Sequence, residues 1–351
     1  MDKDRIRTFA DKVYGDMAGA MAVGMAYVGV KTGLFRAMSG HAAMAAEEVV
    51  RATGLQPRYV EEWLKGMAAA GYLDYDAGAD AFRLPEEHAY LLSSEGTDHF
   101  MGGLFYFAPV LLGAAPRVAE AFRSGGGVRF EEFGPECVHA LDLINSGQYE
   151  HRFVGYWLAK LPEVVRRLQQ GGRALDFGCG VGRVGLAIAK AFPECEVVGV
   201  DLNQESIAKA RENARSAGLG ERVSFQASAA RDAAREGGFD LIAACDCIHD
   251  FSAPLQTLGE LRALLSPEGT LLVVEPRASD RLEENLHPIG AMYYGFSLFH
   301  CTTQSLAEGG PGLGTCMGPS RLRELLLEAG FSRFQQLDIR SQTNQFYAAQ
   351  R

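Results

Sequence analysis

The chain has 351 residues, of which 47% are hydrophobic and 22% are charged, a composition typical of a soluble globular protein and not of a disordered one. Lys and Arg number 34 against 44 Asp and Glu, and the formal net charge of −10 disfavours binding to a phosphate backbone over most of the surface. This length is sufficient for two domains, each with its own core.

The N-terminal segment and the cysteines indicate the compartment. MDKDRIRTF is charged and lacks the apolar centre of a signal peptide. The longest apolar run, AGAMAVGMAYVGV over 18–30, is shorter than a bilayer requires, so we interpret it as a tightly packed helix and a candidate subunit interface. The seven cysteines include no Cys-x-x-Cys pair, which is typical of a reducing environment. We therefore expect a cytoplasmic protein without a membrane partner.

Residues 41–84 have the order of a winged-helix fold. Apolar residues recur at helical spacing through MAAEEVVRA, a TGLQP turn follows, and a second helix is predicted from about Arg58 to Ala70. GYLDY and AFRL predict two strands around DAGAD. Because the second helix balances two basic residues with two acidic ones, it lacks the positive face of a DNA-reading helix. A structural or dimerising module is the favoured interpretation.

The remainder of the chain alternates between strands and helices. Residues 100–170 are predicted to be helical around a loop, SGGGVRFEEFGPE. From Gly172 onward, short apolar runs such as RALDFG, CEVVGV and FDLIAAC alternate with amphipathic helices, which predicts a parallel sheet covered on both faces. We expect an irregular segment over 278–318, then the helix RLRELLLEAG and the final strands RFQQLDI and NQFYAAQ.

The stretch LDFGCGVG, 175–182, predicts a strand, a glycine turn and a helix, an arrangement that brings backbone close to a ligand. A dinucleotide fingerprint requires a third glycine where this chain has Arg183, so the spacing argues against NAD. Asp201 ends the next strand, where an acid can accept hydrogen bonds from ribose hydroxyls. A tight turn without a ligand is the structural alternative.

Together, D-x-G-C-G-x-G, Asp201 and the run LLSPEGTLLVVE resemble the class I S-adenosylmethionine-dependent methyltransferases over residues 172–350. The resemblance implies an α/β, Rossmann-like domain with six parallel strands and an antiparallel seventh, binding S-adenosylmethionine at the strand ends. Ser228 stands where many members have an aspartate, so Ser228, Ala229 and Asp232 remain candidates for adenine contact. The positions carried over for the cofactor are Asp176, Gly178, Cys179, Gly180, Gly182, Asp201, Leu202, Ser228, Ala229, Asp246 and Cys247.

The stretch CDCIHDF, 245–251, has three interpretations. As a metal site it would use Cys245, Cys247 and His249, but no further closely spaced Cys or His pair is present, and we expect no metal. As a structural element, His249 would cap a helix or satisfy a core hydrogen bond. The stretch also resembles the CHDW or LHDW element of small-molecule O-methyltransferases, which implies that His249 is the general base and that Asp250 orients or caps it.

Glu275, at the end of LLVVEP, matches a glutamate that orients the histidine in plant-type relatives. Its alternative is a solvated or capping carboxylate. A second helper glutamate of those relatives is replaced here by Cys316, so a complete plant-like catalytic triad is not expected.

The chain as a whole is similar to bacterial methyltransferases that join a winged-helix domain to this catalytic domain. The resemblance implies domain limits of 1–100 for a winged-helix and dimerisation domain, 101–170 for a helical connection that contributes to the substrate pocket, and 171–351 for the methyltransferase domain. It also implies a homodimer. The aromatic segment NLHPIGAMYYGFSLFHC is expected to wall the acceptor pocket. The candidates in this segment are Tyr293, Tyr294 and His300, with Phe296 and Phe299. The family resemblance implies that Tyr149 and His151 complete the opposite wall.

The sequence therefore predicts methyl transfer from S-adenosylmethionine to a small molecule, at oxygen, with His249 as base. Methylation at sulfur or nitrogen, with His249 only positioning the acceptor, is the alternative among enzymes. A DNA-binding regulator that senses a ligand through a degenerate methyltransferase fold is the alternative outside enzymes. The balanced charge of the second helix disfavours it, and no nucleic-acid partner is expected.

Overall fold

The computed structural model describes all 351 residues, and the chain divides into two compact units. The first comprises Met1–Val110 and His139–Gly147, and the second comprises Leu111–Val138 and Gln148–Arg351. Helices α6 (Gly102–Ser124) and α7 (Pro135–Arg152) each contribute residues to both units.

The first unit has the predicted winged-helix elements. They are α1 (Lys3–Thr32), α2 (Leu34–Met38), α3 (Ala46–Thr53), α4 (Pro57–Ala69), β1 (Asp74–Asp76), β2 (Ala81–Arg83) and α5 (Glu86–Leu92). Pro57 begins α4, where the missing N–H costs no helical hydrogen bond. The strands form an antiparallel hairpin. The indole of Trp63 donates a 2.8 Å hydrogen bond to the Met25 carbonyl and ties α4 to α1.

Helix α1 differs from the expectation of a tightly packed helix. Only Ala22, Ala26 and Gly29 are buried in it. These small residues allow α1 to approach α2 and α4 closely, since a Cβ at Gly29 would lie 2.6 Å from the rings of Phe35 and Trp63. All of residues 1–20 are exposed. By length and composition α1 and α6 could each cross a membrane. This is weak evidence for a membrane span, since the core helices of soluble proteins pass the same test.

The second unit is built on a seven-stranded sheet. Its strands are β3 (Arg173–Phe177), β4 (Glu196–Asp201), β5 (Val223–Ala227), β6 (Phe239–Cys245), β7 (Leu265–Pro276), β8 (Arg333–Gln336) and β9 (Asn344–Gln350). Its helices after α7 are α8 (Pro162–Gln169), α9 (Arg183–Ala191), α10 (Gln204–Ser216), α11 (Pro254–Leu264), α12 (Pro288–Phe296), α13 (Thr302–Ala307) and α14 (Pro319–Glu328).

The sheet order is β5-β4-β3-β6-β7-β9-β8. Strands β3 to β7 are parallel, whereas β9 is antiparallel to both its neighbours. The prediction of six parallel strands and an antiparallel seventh is confirmed. The chain proceeds outward from β3 to β5 and then returns to β6 on the other side of β3, which makes the carboxyl ends of β3 and β6 a topological switch point, the place where α/β sheets bind ligands.

The segment predicted to be irregular, 278–318, is mostly helical. A short turn at Leu282–Asn285 is followed by α12, a π-helical turn at Ser297–Cys301 and α13. Pro288 starts α12, and a ring nitrogen of His287 accepts a 3.1 Å hydrogen bond from the Gly290 N–H. Apolar and aromatic residues on several faces of these short helices obscure the amphipathic periodicity, so the sequence pattern did not indicate them.

Strand β3 carries a buried carboxylate. Asp176 is 2% exposed, and its Oδ2 accepts a 2.8 Å hydrogen bond from the Gly185 N–H in the first turn of α9. Burial raises the pKa of Asp176 to about 7, although the Gly185 N–H opposes the shift. The folded protein thus binds a proton that the unfolded chain releases near pH 4, so this stability is complete below that pH and is lost as pH rises through about 7.

We expect Asp176→Asn to remove this pH dependence, because Asn can accept the same hydrogen bond without a charge. Between pH 5 and pH 7 the free energy of unfolding of the wild type should fall relative to that of the variant by about 2 kcal/mol. Urea denaturation of both proteins at each pH measures the difference. Two parallel pH curves would contradict the prediction.

Candidate active site

The turn after β3 is built on glycines with positive φ. Gly178, Gly180 and Gly182 have φ of 64°, 49° and 81°, a region that disfavours a side chain. A Cβ at Gly182 would also overlap the ring of Phe225, whereas one at Gly180 would meet nothing within 4 Å. The turn therefore leaves open space beside its backbone at Gly180, next to the N-terminus of α9.

Asp201, at the end of β4, is bound to this turn. Its Oδ2 accepts a 2.9 Å hydrogen bond from the Gly180 N–H, and its Oδ1 accepts a 2.8 Å bond from the Asn203 N–H. Burial raises the pKa of Asp201 even though these N–H groups lower it. The carboxylate is thus held in place at the end of β4, beside the glycine turn.

Ser228, which follows the end of β5, has a side-chain hydroxyl without a hydrogen-bond partner. Ser228 donates its N–H to the Asp201 carbonyl at 3.0 Å, while its buried Oγ has no hydrogen bond. Leu202 is 76% exposed at the same edge. An orphaned hydroxyl, a fixed carboxylate and an open glycine turn fit a nucleoside, which carries hydroxyl donors and a flat apolar base.

Asp246 follows β6 and is held by two side chains. Its Oδ2 accepts a 2.8 Å hydrogen bond from the Tyr149 hydroxyl, and its Oδ1 accepts a 2.9 Å bond from Asn344 Nδ2. Its φ is 50°, a strained value for a residue with a side chain. Burial and the charge of Glu275 raise its pKa to about 6. Sequence reasoning missed Asn344, because no pattern distinguishes the first residue of a final strand.

His249 and Glu275 form a buried pair at the ends of β6 and β7. His249 Nδ1–H donates to Glu275 Oε2 at 2.5 Å, and Glu275 Oε1 accepts a 2.9 Å bond from the Ile248 N–H. The residues are 4% and 3% exposed. Burial lowers the pKa of His249, but the charges of Glu275 and Asp250 outweigh it and hold the pKa well above its ordinary value. Glu275 therefore orients the ring and leaves Nε2 as its other polar atom.

The Nε2 side of the ring faces two further polar groups. Asp250 Oδ1 lies 3.5 Å from Nε2, and the thiol of Cys301 interacts with the same imidazole. Cys301 comes from the π-helical turn between α12 and α13. In the sequence Cys301 is one of several scattered cysteines. Nothing there predicts its contact with His249, because only the fold brings the two residues together.

Cys247 lies beside the glycine turn. Its thiol donates to the Phe177 carbonyl at 3.7 Å, and a Cβ on Gly178 would lie 3.1 Å from it. Cys179 is also buried in the turn, and its N–H donates to the Val200 carbonyl. The turn and the CDCIHDF stretch therefore meet directly, as the order of strands β3 and β6 requires.

The residues expected to line the pocket for the methyl acceptor lie in different environments. Tyr293 is buried and donates its hydroxyl to the Thr343 carbonyl at 2.7 Å. Tyr294 is 42% exposed. His300 is buried, with Nε2 3.5 Å from Cys137 Sγ and Nδ1 3.7 Å from Cys301 Sγ, and burial lowers its pKa.

Comparison with known proteins identifies two domains. Residues 168–330 match the family model described as methyltransferase domain, and residues 19–94 match the Rv2258c-like winged HTH domain. The demethylmenaquinone methyltransferase of Thermus thermophilus is 30% identical over 149 residues, which are 42% of this chain and 63% of that protein. The chain spans less than two thirds of the length of the curated relatives that it matches.

Solved structures share the fold over nearly the whole chain. The structure titled PigF with SAH has a TM-score of 0.73 and 20% identity, covering 97% of this chain and 99% of the other. Human N-acetylserotonin methyltransferase in complex with SAM has a TM-score of 0.66 and 19% identity, covering 97% of both chains. This chain therefore contains a methyltransferase domain over residues 168–330, preceded by an Rv2258c-like winged helix-turn-helix domain over residues 19–94.

Proposed function

We propose that the protein transfers a methyl group from S-adenosylmethionine to a hydroxyl of a small molecule, with His249 as the general base. The observation that carries this proposal is the buried His249–Glu275 pair at the switch-point edge, adjacent to the strand ends that bear the glycine turn and Asp201. When bound, S-adenosylmethionine supplies a methyl group on a positively charged sulfur.

The residues of the edge suit this cofactor. The carboxylate of Asp201 is held where ribose hydroxyls can donate to it, and Ser228 Oγ, Ala229 and Leu202 lie beyond it for the adenine. The backbone of the glycine turn and the neighbouring Asp246 are left for the methionine part. Buried carboxylates with raised pKa values favour a ligand that carries positive charge and hydroxyl donors.

The proposed step at His249 is the removal of the acceptor's proton. A hydroxyl is a poor nucleophile until that proton leaves, and only the neutral form of His249, with Nδ1–H bound to Glu275, has the accepting lone pair on Nε2. Because Glu275 and Asp250 raise the pKa of His249, this neutral form requires a higher pH than it does for an ordinary histidine. Glu275 and Asp250 stabilise the imidazolium that forms. Alignment of the hydroxyl with the methyl group contributes as much again through positioning.

We expect His249→Ala to lower the rate of methyl transfer to a hydroxyl by about 10²–10⁴-fold, the usual contribution of a general base. The assay uses methyl-labelled S-adenosylmethionine with a panel of phenols, hydroxy acids, thiols and amines. His41→Ala, which changes an exposed histidine, is the control for handling and folding. Transfer to sulfur or nitrogen at an unchanged rate would instead support the alternative in which His249 only positions the acceptor.

Asp201→Ala should weaken binding of S-adenosylhomocysteine by about 100-fold, because a charged acceptor for ribose hydroxyls contributes about 1.5–3 kcal/mol per hydrogen bond. Calorimetry measures the affinity, and Asp338→Ala, at an exposed aspartate, is the matched control. In the wild-type protein, S-adenosylhomocysteine should raise the Tm, whereas NAD should leave it unchanged. Equal affinities for wild type and Asp201→Ala would refute the ribose assignment.

We also infer that the protein is a homodimer through its N-terminal helix. One face of α1 presents Ile6, Phe9, Val13, Met17 and Met21 at helical spacing, each at least half exposed. An isolated amphipathic helix is marginal in water, so a partner surface would stabilise it. A second copy of the chain offers the same stripe in a two-fold arrangement.

Phe9→Lys combined with Met17→Lys should therefore shift the protein from dimer to monomer, because charges replace the centre of the stripe. Light scattering after gel filtration measures the mass. Thr8→Lys, on the opposite side of the helix, should keep the dimer mass. A wild-type monomer, or a double variant that stays dimeric, would contradict the inference.

The regulator alternative finds no support in the first unit. Both basic residues of α4 are paired with acids of the same helix: Arg58 with Glu61 and Glu62, and Lys65 with Glu61 at 2.5 Å. These pairs leave no excess positive charge on the helix that would enter a DNA groove.

A further inference from the structure

Three side chains with metal-ligand chemistry converge on the far side of the His249 ring from Glu275. A nitrogen of His249, a carboxylate oxygen of Asp250 and the sulfur of Cys301 all lie within 4.8 Å of one another. This set differs from the one that the CDCIHDF stretch suggested, because Asp250 and Cys301 replace Cys245 and Cys247. The first two ligands are adjacent in sequence, and the third arrives through the α12–α13 segment.

The three ligand groups make contacts that are compatible with a bound ion, although burial raises the pKa of the Cys301 thiol to about 11. Glu275 binds Nδ1 of His249, the carboxylate contact that orients metal-binding histidines and leaves Nε2 available. The hydroxyl of Thr315 donates to Cys301 Sγ at 3.1 Å, a bond that also stabilises a thiolate. Asp250 Oδ1 is buried without a hydrogen bond, and the charged group that it faces is His249 Nε2 at 3.5 Å, so a cation bound between them would satisfy this oxygen.

We propose that His249, Asp250 and Cys301 form a binding site for a divalent transition-metal ion of the zinc class. The donor set of one imidazole, one thiolate and one carboxylate favours Zn²⁺ or Co²⁺ over Mg²⁺ and Ca²⁺, which prefer oxygen ligands. The thiol proton of Cys301 is released to solvent when the metal–sulfur bond forms. Three protein ligands leave a fourth tetrahedral position for water or another small molecule.

Occupancy of this site has a consequence for catalysis that rests on the proposed function. The ion takes Nε2 of His249, the atom assigned to accept the acceptor's proton. Zn²⁺ therefore inhibits methyl transfer reversibly, and the cluster makes the enzyme sensitive to free transition metal.

The test uses Co²⁺ as a probe of the purified, metal-free protein. One equivalent of Co²⁺ should give a sulfur-to-cobalt charge-transfer absorption in the near ultraviolet, and Zn²⁺ should abolish it by displacement. Cys301→Ser should lose this band, whereas Cys195→Ser, at a buried cysteine whose thiol contacts the Glu196 carbonyl, should retain it. No band in the wild type, or an equal band in Cys301→Ser, would overturn the proposal.

Two milder variants guard against misfolding of Cys301→Ser. Asp250→Asn removes a ligand charge at a partly exposed residue and should weaken Co²⁺ binding by at least about 10-fold. Thr315→Val removes only the hydrogen bond to sulfur and should weaken it by about 10-fold, as outer-shell substitutions do. Unchanged affinity in both variants would also overturn the site.

The metal site and the proposed function fail separately. The Co²⁺ band reports binding without any methyl transfer, so it tests the site even if no acceptor is found. If the band behaves as expected but Zn²⁺ leaves methyl transfer unaffected, the role of His249 as base is wrong and the metal site stands.

Discussion

The hydrogen bond between His249 and Glu275 is the interaction on which the rest of the site depends. It exists because β6 and β7 are adjacent and parallel, so that the residues after one strand meet the end of the other. Glu275 uses its second oxygen on the Ile248 N–H, which fixes the turn that carries His249. With one ring nitrogen committed in a buried position, the chemistry of the ring is confined to Nε2.

Several carboxyl groups lie at the same edge, and burial disfavours their ionised forms. Asp176, Asp201 and Asp246 each have a pKa raised by desolvation, and each is held by backbone or side-chain donors. These donors offset part of the cost, and a ligand with positive charge and hydroxyl donors would offset more.

The α12–α13 segment contacts the residues around His249. It places Tyr293 against the Thr343 carbonyl and Cys301 against His249. Gly314 donates its N–H to the His249 carbonyl at 3.1 Å, so the residues after α13 also contact the turn that carries His249. A change in this segment would thus alter the surroundings of His249 Nε2.

Local patterns in the chain were sufficient to predict the α/β class, the winged-helix unit, the strand that ends at Asp201 and the glycine turn that follows β3. Each of these features depends on residues that are close in sequence. The contact of Glu275 with His249 followed from a family resemblance and not from periodicity. The partners Asn344, Cys301 and Thr315, the helical nature of 278–318 and the exposure of α1 could not be read from the chain, because they arise where distant segments pack, and no local periodicity encodes which buried oxygen or thiol will meet which ring.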